Sequence, residues 1–320
     1  MKRLISILIL VLLISGCAGF PNIFGQDKDV KEASEDVVTV ENVNVLPVPP
    51  ITAGDQFSVS FQVTNMDEDQ NVDATYELLD AGLCKDPVTG EKEGDFGGSL
   101  VPGQVEFVEW TFDTPESQDI AYIKTICPVR FRVTYRFNAQ SEIEVNVISD
   151  ERYRQLQQSG TFETFTPTLT MDRGPIKIDI ELGATMPLKA GSLLPVYLTV
   201  YDKGQGLIDK IPFYQLVLGV PGETVNNSGN IACRYSDEDC FIPYDCTAFL
   251  RPDSQPTAGY TYYVNNMDVP LMDRKTYKMK CSFRVPDIRA EHTYFFDAYF
   301  LEYYYDVLKQ VDVEVKPLSP

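Results

Sequence analysis

The strongest constraint on the fold of this 320-residue chain is a period-two alternation of apolar and polar residues. Between residues 57 and 64, Phe and Val alternate with Ser, Gln and Thr, and residues 38–45 and 129–147 alternate in the same way. Successive side chains of a β-strand point to opposite faces, so this spacing buries one face and exposes the other. Amphipathic helical stretches are scarce. The alternation therefore predicts an all-β protein with antiparallel sheets.

The pattern of the first half recurs in the second half. Pro50-Ile51-Thr52-Ala53-Gly54 reappears as Pro187-Leu188-Lys189-Ala190-Gly191, an offset of 137 residues. The ends match too, since "VRFRVTYRF" and "SEIEVNV" close the first copy while "TYFFDAYFLEYY" and "KQVDVEV" close the second. Similarity at a fixed offset indicates two copies of one domain. About seven short strands per copy predict a two-sheet sandwich.

The P-x-x-A-G turn, the alternating strand behind it, and the Asn65 or Asp202 that ends that strand resemble a known family. They are similar to the opening of CARDB-like and other immunoglobulin-like repeats of prokaryotic surface proteins, over about residues 38–80 and 176–205. The resemblance implies tandem immunoglobulin-like β-sandwich domains that serve as spacers, adhesion modules or envelope components. It brings no catalytic residues. Long inserts and extra cysteines depart from the plain repeat and leave the partner open.

These observations predict the following segments. Residues 1–16 are a signal peptide, 17–36 a flexible tether, 37–149 the first sandwich, 150–172 a linker with a short helix, and 173–320 the second sandwich, with a Cys-containing insert at about 221–270. In the linker, Ser149 is a suitable N-cap and Gly160 a suitable helix stop.

The N-terminal run fits a signal sequence. Lys2 and Arg3 precede a mainly apolar stretch, residues 4–14, which ends at Ser15, Gly16 and Cys17. As a helix this stretch rises about 16 Å, short of the roughly 30 Å hydrocarbon core of a bilayer. The run Leu13-Ile14-Ser15-Gly16-Cys17 resembles the lipobox of prokaryotic lipoproteins, which implies lipidation of Cys17 and cleavage before it. Diacylglycerol would supply two acyl chains, enough for stable anchoring. The alternative is an ordinary secretory signal with an incidental cysteine.

The remaining cysteines predict disulfides. Six are left once Cys17 carries the lipid, an even number in an exported chain: Cys84, Cys127, Cys233, Cys240, Cys246 and Cys281. Cys84 and Cys127 are the only ones in the first copy, so we expect them to pair. The other four allow three pairings.

The net charge disfavours nucleic acid as a partner. The chain has 27 basic and 47 acidic residues, a formal charge of −20. Such a field repels phosphate backbones.

Aromatic residues between Tyr294 and Tyr305 occupy both alternating faces of one predicted strand. One face builds the core and the other needs a cover, since exposed patches of this size mark contacts. The candidate interaction surface comprises Tyr294, Phe296, Tyr299, Phe300, Tyr303 and Tyr305. Its cover is the Cys-containing insert, a protein partner or a stacked sugar.

Three arginines of the first copy, Arg130, Arg132 and Arg136, share the polar face of one predicted strand. A hairpin through Asn138–Gln140 would bring the next strand, with Glu142 and Glu144, beside them. Cross-strand ion pairs therefore explain the arginines, and a ligand site is the alternative.

Signals of catalysis are weak. His292 is the only histidine and is predicted to lie at a surface or edge. Gly204-Gln205-Gly206 lacks the third glycine of a phosphate loop and is interpreted as a hairpin turn. Asp297 and Glu302 are five residues apart, which sends them to opposite faces of a strand. We expect no catalytic residue and no cofactor.

One loop carries alternating oxygen donors: Asn65, Asp67, Asp69, Asn71 and Asp73. Val72 and Leu78 stand where an EF-hand requires Gly and Glu, so this is no EF-hand. We interpret it as an acidic hairpin loop without a metal, with a looser calcium site as the alternative.

The sequence thus predicts a non-enzymatic cell-surface lipoprotein, attached to the membrane through Cys17 on its extracytoplasmic face. It would act as a binding, adhesion or spacer module with a protein or envelope partner. The alternatives are a subunit of a surface filament or envelope assembly, and an accessory or diverged glycan-active enzyme. A convergent acid pair would favour the enzyme.

Overall fold

A computed structural model describes residues 35–221, 241–250, 260–301 and 303–318. The strands are β1 (Val38–Leu46), β2 (Ile51–Thr52), β3 (Gln56–Asn65), β4 (Ala74–Asp80), β5 (Glu93–Asp95), β6 (Val105–Asp113), β7 (Thr125–Phe137), β8 (Gln140–Ile148), β9 (Leu169–Met171), β10 (Ile176–Leu182), β11 (Leu188–Lys189), β12 (Leu193–Asp202), β13 (Lys210–Ile211), β14 (Leu216–Pro221), β15 (Ile242–Asp245), β16 (Phe249–Leu250), β17 (Tyr260–Asn265), β18 (Val269–Pro270), β19 (Met279–Arg284), β20 (His292–Phe300) and β21 (Tyr303–Lys316). Within these ranges, the α-helix α1 spans Asp150–Ser159. The prediction of an all-β sandwich fold is confirmed.

The first sandwich has a sheet of three strands, in the order β1-β3-β6, and a sheet of five, in the order β2-β21-β7-β4-β5. Alternate side chains of both sheets point inward. The ring of Phe61 on β3 stacks on Phe131 of β7 with centroids 4.2 Å apart, and Trp110 of β6 packs against both. These buried aromatic rings form the centre of the first core.

The second sandwich pairs a four-stranded sheet, in the order β10-β12-β19-β15, with a larger sheet. The larger sheet runs β11-β8-β20-β14-β17-β16, and β9 adds to β8. Phe283 of β19 packs between Tyr263 of β17 and Phe296 of β20. A short ribbon of β13 and β18 lies beside these sheets.

The two copies exchange their last strands. The predicted hairpin through Asn138–Gln140 does not form, because β7 pairs with β21 over thirteen residues and β8 pairs with β20. The chain passes from one sandwich to the other between β7 and β8, and returns between β20 and β21. The first sandwich therefore closes with the last strand of the chain. The predicted boundaries placed β8 in the first sandwich (37–149) and β21 in the second (173–320), and both placements are wrong. Glu35–Pro320 forms one compact unit.

The internal repeat survives in the local structure. β2 and β11 lie 137 residues apart, and each is followed by a glycine with positive φ, +86° at Gly54 and +71° at Gly191. Only glycine adopts this backbone conformation without strain. Each short strand pairs in parallel with an exchanged strand, β2 with β21 and β11 with β8.

The segment between the copies is part of the fold. Ser149 caps the N-terminus of α1, and its Oγ accepts a hydrogen bond from the Arg152 amide at 3.3 Å. Gly160, with φ 68°, caps the C-terminus. Both caps agree with the sequence. Residues 169–171 form β9 in the large sheet, so this part of the predicted linker is a strand. Within the described residues, no helix is both long enough and apolar enough to cross a bilayer.

A buried polar cluster joins the sandwiches. Asp202, at the end of β12, accepts hydrogen bonds from the Tyr305 hydroxyl of β21 at 2.7 Å and from Arg274. Arg274 also donates to the carbonyl oxygens of Gly204 and Gly206, and the Gln205 amide donates to Asp36 at 2.8 Å. The Gly204–Gly206 turn is therefore held by the protein's own charged side chains.

Candidate interaction surface

The predicted interaction surface is largely buried. Phe296, Phe300, Tyr303 and Tyr305 are buried, and Tyr294 and Tyr299 are half-buried. The prediction treats Tyr294–Tyr305 as one strand with two aromatic faces. The structure has two strands, and the alternation changes phase between them: even positions of β20 face the second core, and odd positions of β21 face the first. The even positions of β20 and the odd positions of β21 thus build different cores, so the predicted surface was wrong for Phe296, Phe300, Tyr303 and Tyr305. Tyr299 lies on the outer face of β20.

On the outer face of β20, Tyr299 is accompanied by side chains that were not part of the predicted surface. Phe295 is 41% exposed and Leu301 49%, while Asp297 and Tyr299 lie between them, half-buried. Side chains of β8, of β17 and of β20 itself lie around Asp297. We call the following five the tyrosine–carboxylate site: Glu142 of β8, Tyr260 and Tyr262 of β17, and Asp297 and Tyr299 of β20.

Sheet register builds the site. Asp297 is the direct cross-strand partner of Glu142 on one side and of Gly219 on the other, and Gly219 is the partner of Tyr262. Direct partners in antiparallel strands hold their Cβ atoms about 4.5–5.5 Å apart. Glu142 comes from the first copy and Asp297 from the second, so strand exchange creates this acid pair.

Burial and a neighbouring like charge act together on Asp297. Burial, followed by the neighbouring Glu142 carboxylate, raises the pKa of Asp297 to about 6. Asp297 Oδ1 is buried and has no hydrogen-bond partner among the described residues. Burial, followed by the charge of Asp297, raises the pKa of Tyr260 to about 12.

The tyrosine rings stand at different angles around this pair. Tyr260 and Tyr262 are two residues apart on one strand and stack with centroids 6.1 Å apart and planes 20° apart. Tyr262 meets Tyr299 edge to face, also at 6.1 Å but with planes 80° apart. Beneath the rings, Val217 and Val264 are buried as a small cluster separate from the main core. The layer of rings is therefore packed and ordered.

His292 does not belong to this site. It begins β20, is exposed, and its ring lies against Tyr294 with centroids 4.5 Å apart. This agrees with the predicted edge position. The sequence suggested Glu302 as the possible acid partner of Asp297, but Glu302 lies outside the described residues, and the cross-strand partner Glu142 was not predicted. The missing information was the register between β8 and β20.

The arginines of β7 form cross-strand contacts with other partners than predicted. Arg132 pairs with Glu77 of β4 and, at 3.4 Å, with Asp306 of β21. Arg130 donates to Gln310 at 2.9 Å. The partners Glu142 and Glu144 were wrong because β8 is not beside β7.

Two disulfide bonds lie in the described residues. Cys84 is bonded to Cys127, as predicted, and Cys246 is bonded to Cys281. Cys233 and Cys240 lie outside the described residues.

The described parts of the insert extend the two sheets. β15 pairs with β19, and β16 pairs with β17. Phe241 packs edge to face on Tyr294 and Phe296 from the core side. On the outer face, Tyr262 of β17 packs edge to face on Tyr299, so a described part of the insert contacts this face of β20. The prediction of a cover from residues 222–240 or 251–259 falls outside the described residues.

The acidic loop satisfies its own backbone. Asn65 Oδ1 accepts from the Asp67 amide at 2.9 Å, and Asp67 Oδ1 accepts from the amides of Asp69 and Gln70. The loop borders a polar cleft of about 470 Å³ that Arg136 and Arg173 also line. Across the described part of the chain, no three carboxylate, histidine or cysteine side chains are grouped to hold a metal ion. The loop connects β3 of one sheet to β4 of the other, so the predicted hairpin is wrong, and the absence of a metal stays a prediction.

No family model matches the chain, and no curated protein is significantly similar to it.

Proposed function

We propose that this chain is an exported, lipid-anchored protein that acts outside the cell membrane by binding a partner, without catalysis. The N-terminal run supports export, since a charged start and an apolar segment end at Ser15, Gly16 and Cys17. Two disulfide bonds suit an oxidising compartment. A spacer would need only the sandwiches, whereas a binding protein needs a recognition surface.

The observation that carries the binding role is the tyrosine–carboxylate site. Ordered tyrosine rings surround two carboxylates that no described cation neutralises. Tyrosine supplies a large rigid contact surface with a polar end and is enriched at protein interfaces. The five side chains include no serine, cysteine or lysine, so the site offers none of the nucleophiles of acyl transfer.

A glycan-active enzyme is the second candidate, because Glu142 and Asp297 form an acid pair. Glycosidases place their two carboxyl groups about 5–9.5 Å apart on opposite sides of the scissile bond. Glu142 and Asp297 instead stand side by side, close enough for their carboxyl groups to share a proton. As neighbours on one face of a sheet, they do not lie on opposite sides of a bound substrate. We therefore place the enzyme second.

The alternative of a filament or envelope subunit depended on self-association through exposed aromatic side chains between Tyr294 and Tyr305. The aromatic side chains that would have associated, including Phe296 and Tyr305, are buried in the two cores.

The anchoring proposal is tested by expressing the full chain in a bacterial host that processes lipoproteins. We expect membrane-associated protein whose first residue is Cys17 and whose N-terminal peptide carries the mass of a diacylglycerol group. Cys17→Ser should remove the acyl mass and the membrane association, while Ser6→Ala, within the apolar segment, should change neither. An unmodified Cys17 in purified membrane-associated protein would contradict the proposal.

A further inference from the structure

One edge strand of the first sandwich is open along part of its length. β6 is an outer strand of the three-stranded sheet, and β3 is its only strand partner among the described residues. Alternate residues of β6 bond to β3, in phase with the Asn65 amide, which donates to the Gln104 carbonyl oxygen at 3.0 Å. The N–H and C=O groups of Val105 and Phe107 therefore point away from β3. Within the described part of the chain, no backbone group bonds to them.

The other end of the same edge already holds an added segment. The Thr111 amide donates to the Thr89 carbonyl oxygen at 3.1 Å, and the Thr111 carbonyl oxygen accepts from the Val88 amide at 2.7 Å. Gly90 lies against the carbonyl oxygen of Glu109, which is 2.5 Å from where a Cβ on that glycine would stand. This edge therefore accepts an extended segment as a further strand, and the pairing stops before it reaches residue 107.

The side chains of the open stretch are apolar and exposed. Phe107 is 69% exposed and Val105 42%, and their cross-strand neighbours on β3 are the polar residues Gln62 and Thr64. Proteins commonly protect edge strands with lysine, proline or a bulge. β6 contains no lysine and no proline, and its register with β3 is unbroken. A regular apolar edge of this kind is a template for pairing with another chain.

The surrounding charge indicates which partner fits. Glu106 and Glu109 belong to β6, and Glu91 lies beside it, since its carbonyl oxygen accepts a hydrogen bond from the indole of β6 at 2.7 Å. Within residues 86–113 the only basic residue is Lys92, and it forms an ion pair with Asp86 at 2.6 Å. A second copy of this chain would bring the same carboxylates and a net charge of −20, which disfavours self-pairing. A basic segment is complementary to this edge.

We propose that the open edge of β6 binds an extended basic segment of a partner protein by strand addition. The N–H and C=O groups of Val105 and Phe107 would form the backbone hydrogen bonds, and the Phe107 ring would pack on an apolar side chain of the segment. Glu106 and Glu109 would attract its lysine or arginine side chains. This gives the proposed binding role a second surface, on the first sandwich and separate from the tyrosine–carboxylate site.

The test uses the full mature chain and two synthetic probes, a seven-residue peptide that alternates lysine and valine and the same peptide with glutamate in place of lysine. Fluorescence anisotropy of the labelled peptides measures binding. We expect the basic peptide to bind and the acidic peptide to bind at least about tenfold more weakly. Hydrogen exchange should slow at the amides of Val105 and Phe107 when the basic peptide is bound, because strand addition takes up these N–H groups.

Substitutions of Phe107 separate the ring from the backbone. Phe107→Ser removes the ring and should weaken the basic peptide about tenfold. Phe107→Pro also removes the outward N–H, without removing a bond to β3, and should abolish binding. Leu308→Ser removes a 52% exposed side chain from β21, and this matched control should bind like the wild type. Trp110 fluorescence and the melting temperature check that each variant is folded.

Three results would overturn the proposal: no binding of the basic peptide, wild-type affinity in folded Phe107→Pro, or unchanged exchange at Val105 and Phe107 in the complex. Analytical ultracentrifugation tests the other occupant. A wild-type dimer that Phe107→Pro abolishes would assign the edge to a second copy and would also overturn the proposal of a basic partner. Lipid attachment at Cys17 is measured separately, so failure at this edge is distinguishable from failure of anchoring.

Discussion

At the residue scale, Asp297 links the site to stability. Its pKa lies at about 6 in the folded chain against 3.8 for an unperturbed side chain, because of burial and of Glu142. The folded state therefore holds the proton more tightly than the unfolded state. By linkage, the free energy of unfolding falls as the pH rises through the window from about 4 to 6. The titratable groups that face Asp297 are Glu142 from β8, Tyr260 from β17 and Tyr299 from β20 itself.

We predict that Asp297→Asn stabilises the protein relative to the wild type more at pH 7.5 than at pH 4. The asparagine never carries the charge that repels Glu142. The melting-temperature difference between variant and wild type should grow by a few degrees across this window. Glu109→Gln, at an exposed carboxylate on β6, is the control. Its melting-temperature difference from the wild type should be the same at pH 4 and pH 7.5. If the melting-temperature difference between Asp297→Asn and the wild type also did not change with pH, the predicted linkage would be contradicted.

Several single residues were predictable because their roles are local. Ser149 and Gly160 mark the ends of α1 within one turn of the chain, and Gly54 and Gly191 meet a backbone requirement set by their own turns. The pairing of Cys84 with Cys127 was predictable because they are the only two cysteines of the first copy. The acid pair was not predictable in this way, since residues 142 and 297 become neighbours only through the register of two distant strands.

At the element scale, the alternation predicted which side chains of each strand are buried but not which strand lies beside it. Each copy ends in two strands whose inward side chains are apolar. Pairing these two strands with each other as a hairpin, or with the corresponding strands of the other copy, would bury similar apolar surfaces. The two residues between β7 and β8 suggested a hairpin. The structure uses that short connection to cross between sandwiches. The phase change between β20 and β21 was the sequence signal of this crossing.

The contacts of β21 give a prediction at this scale. Tyr305 lies in the core of the first sandwich, and its hydroxyl donates to the buried Asp202 of the second. Tyr305→Phe should lower the free energy of unfolding by about 1–3 kcal/mol, because Asp202 loses a hydrogen bond away from water. Urea unfolding measures this, and Tyr304→Phe, at an exposed neighbour, should cost less than about 0.5 kcal/mol. Equal effects of the two substitutions would show that the junction hydrogen bond is not stabilising.

At the scale of the whole molecule, strand exchange joins the two sandwiches into one unit. The first strand, β1, and the last strand, β21, both belong to the first sandwich, and the second sandwich is built between them. The acid pair combines one carboxylate from each copy, so it exists only in the exchanged arrangement. Fold and proposed function thus depend on the same feature. An isolated second copy, residues 173–320, would lack Glu142 and with it half of the pair.

Strand exchange is tested most directly by an engineered disulfide between β8 and β20. Glu144 and Phe295 are cross-strand partners on the outer face, at a separation that a disulfide can bridge. We predict that the double variant Glu144→Cys, Phe295→Cys forms this bond under mild oxidation, detected as a linked peptide by mass spectrometry. In the alternative hairpin, Glu144 would instead lie near Thr134. Two results together would contradict strand exchange. One is a disulfide bond in the variant Thr134→Cys, Glu144→Cys, and the other is free thiols in the variant Glu144→Cys, Phe295→Cys.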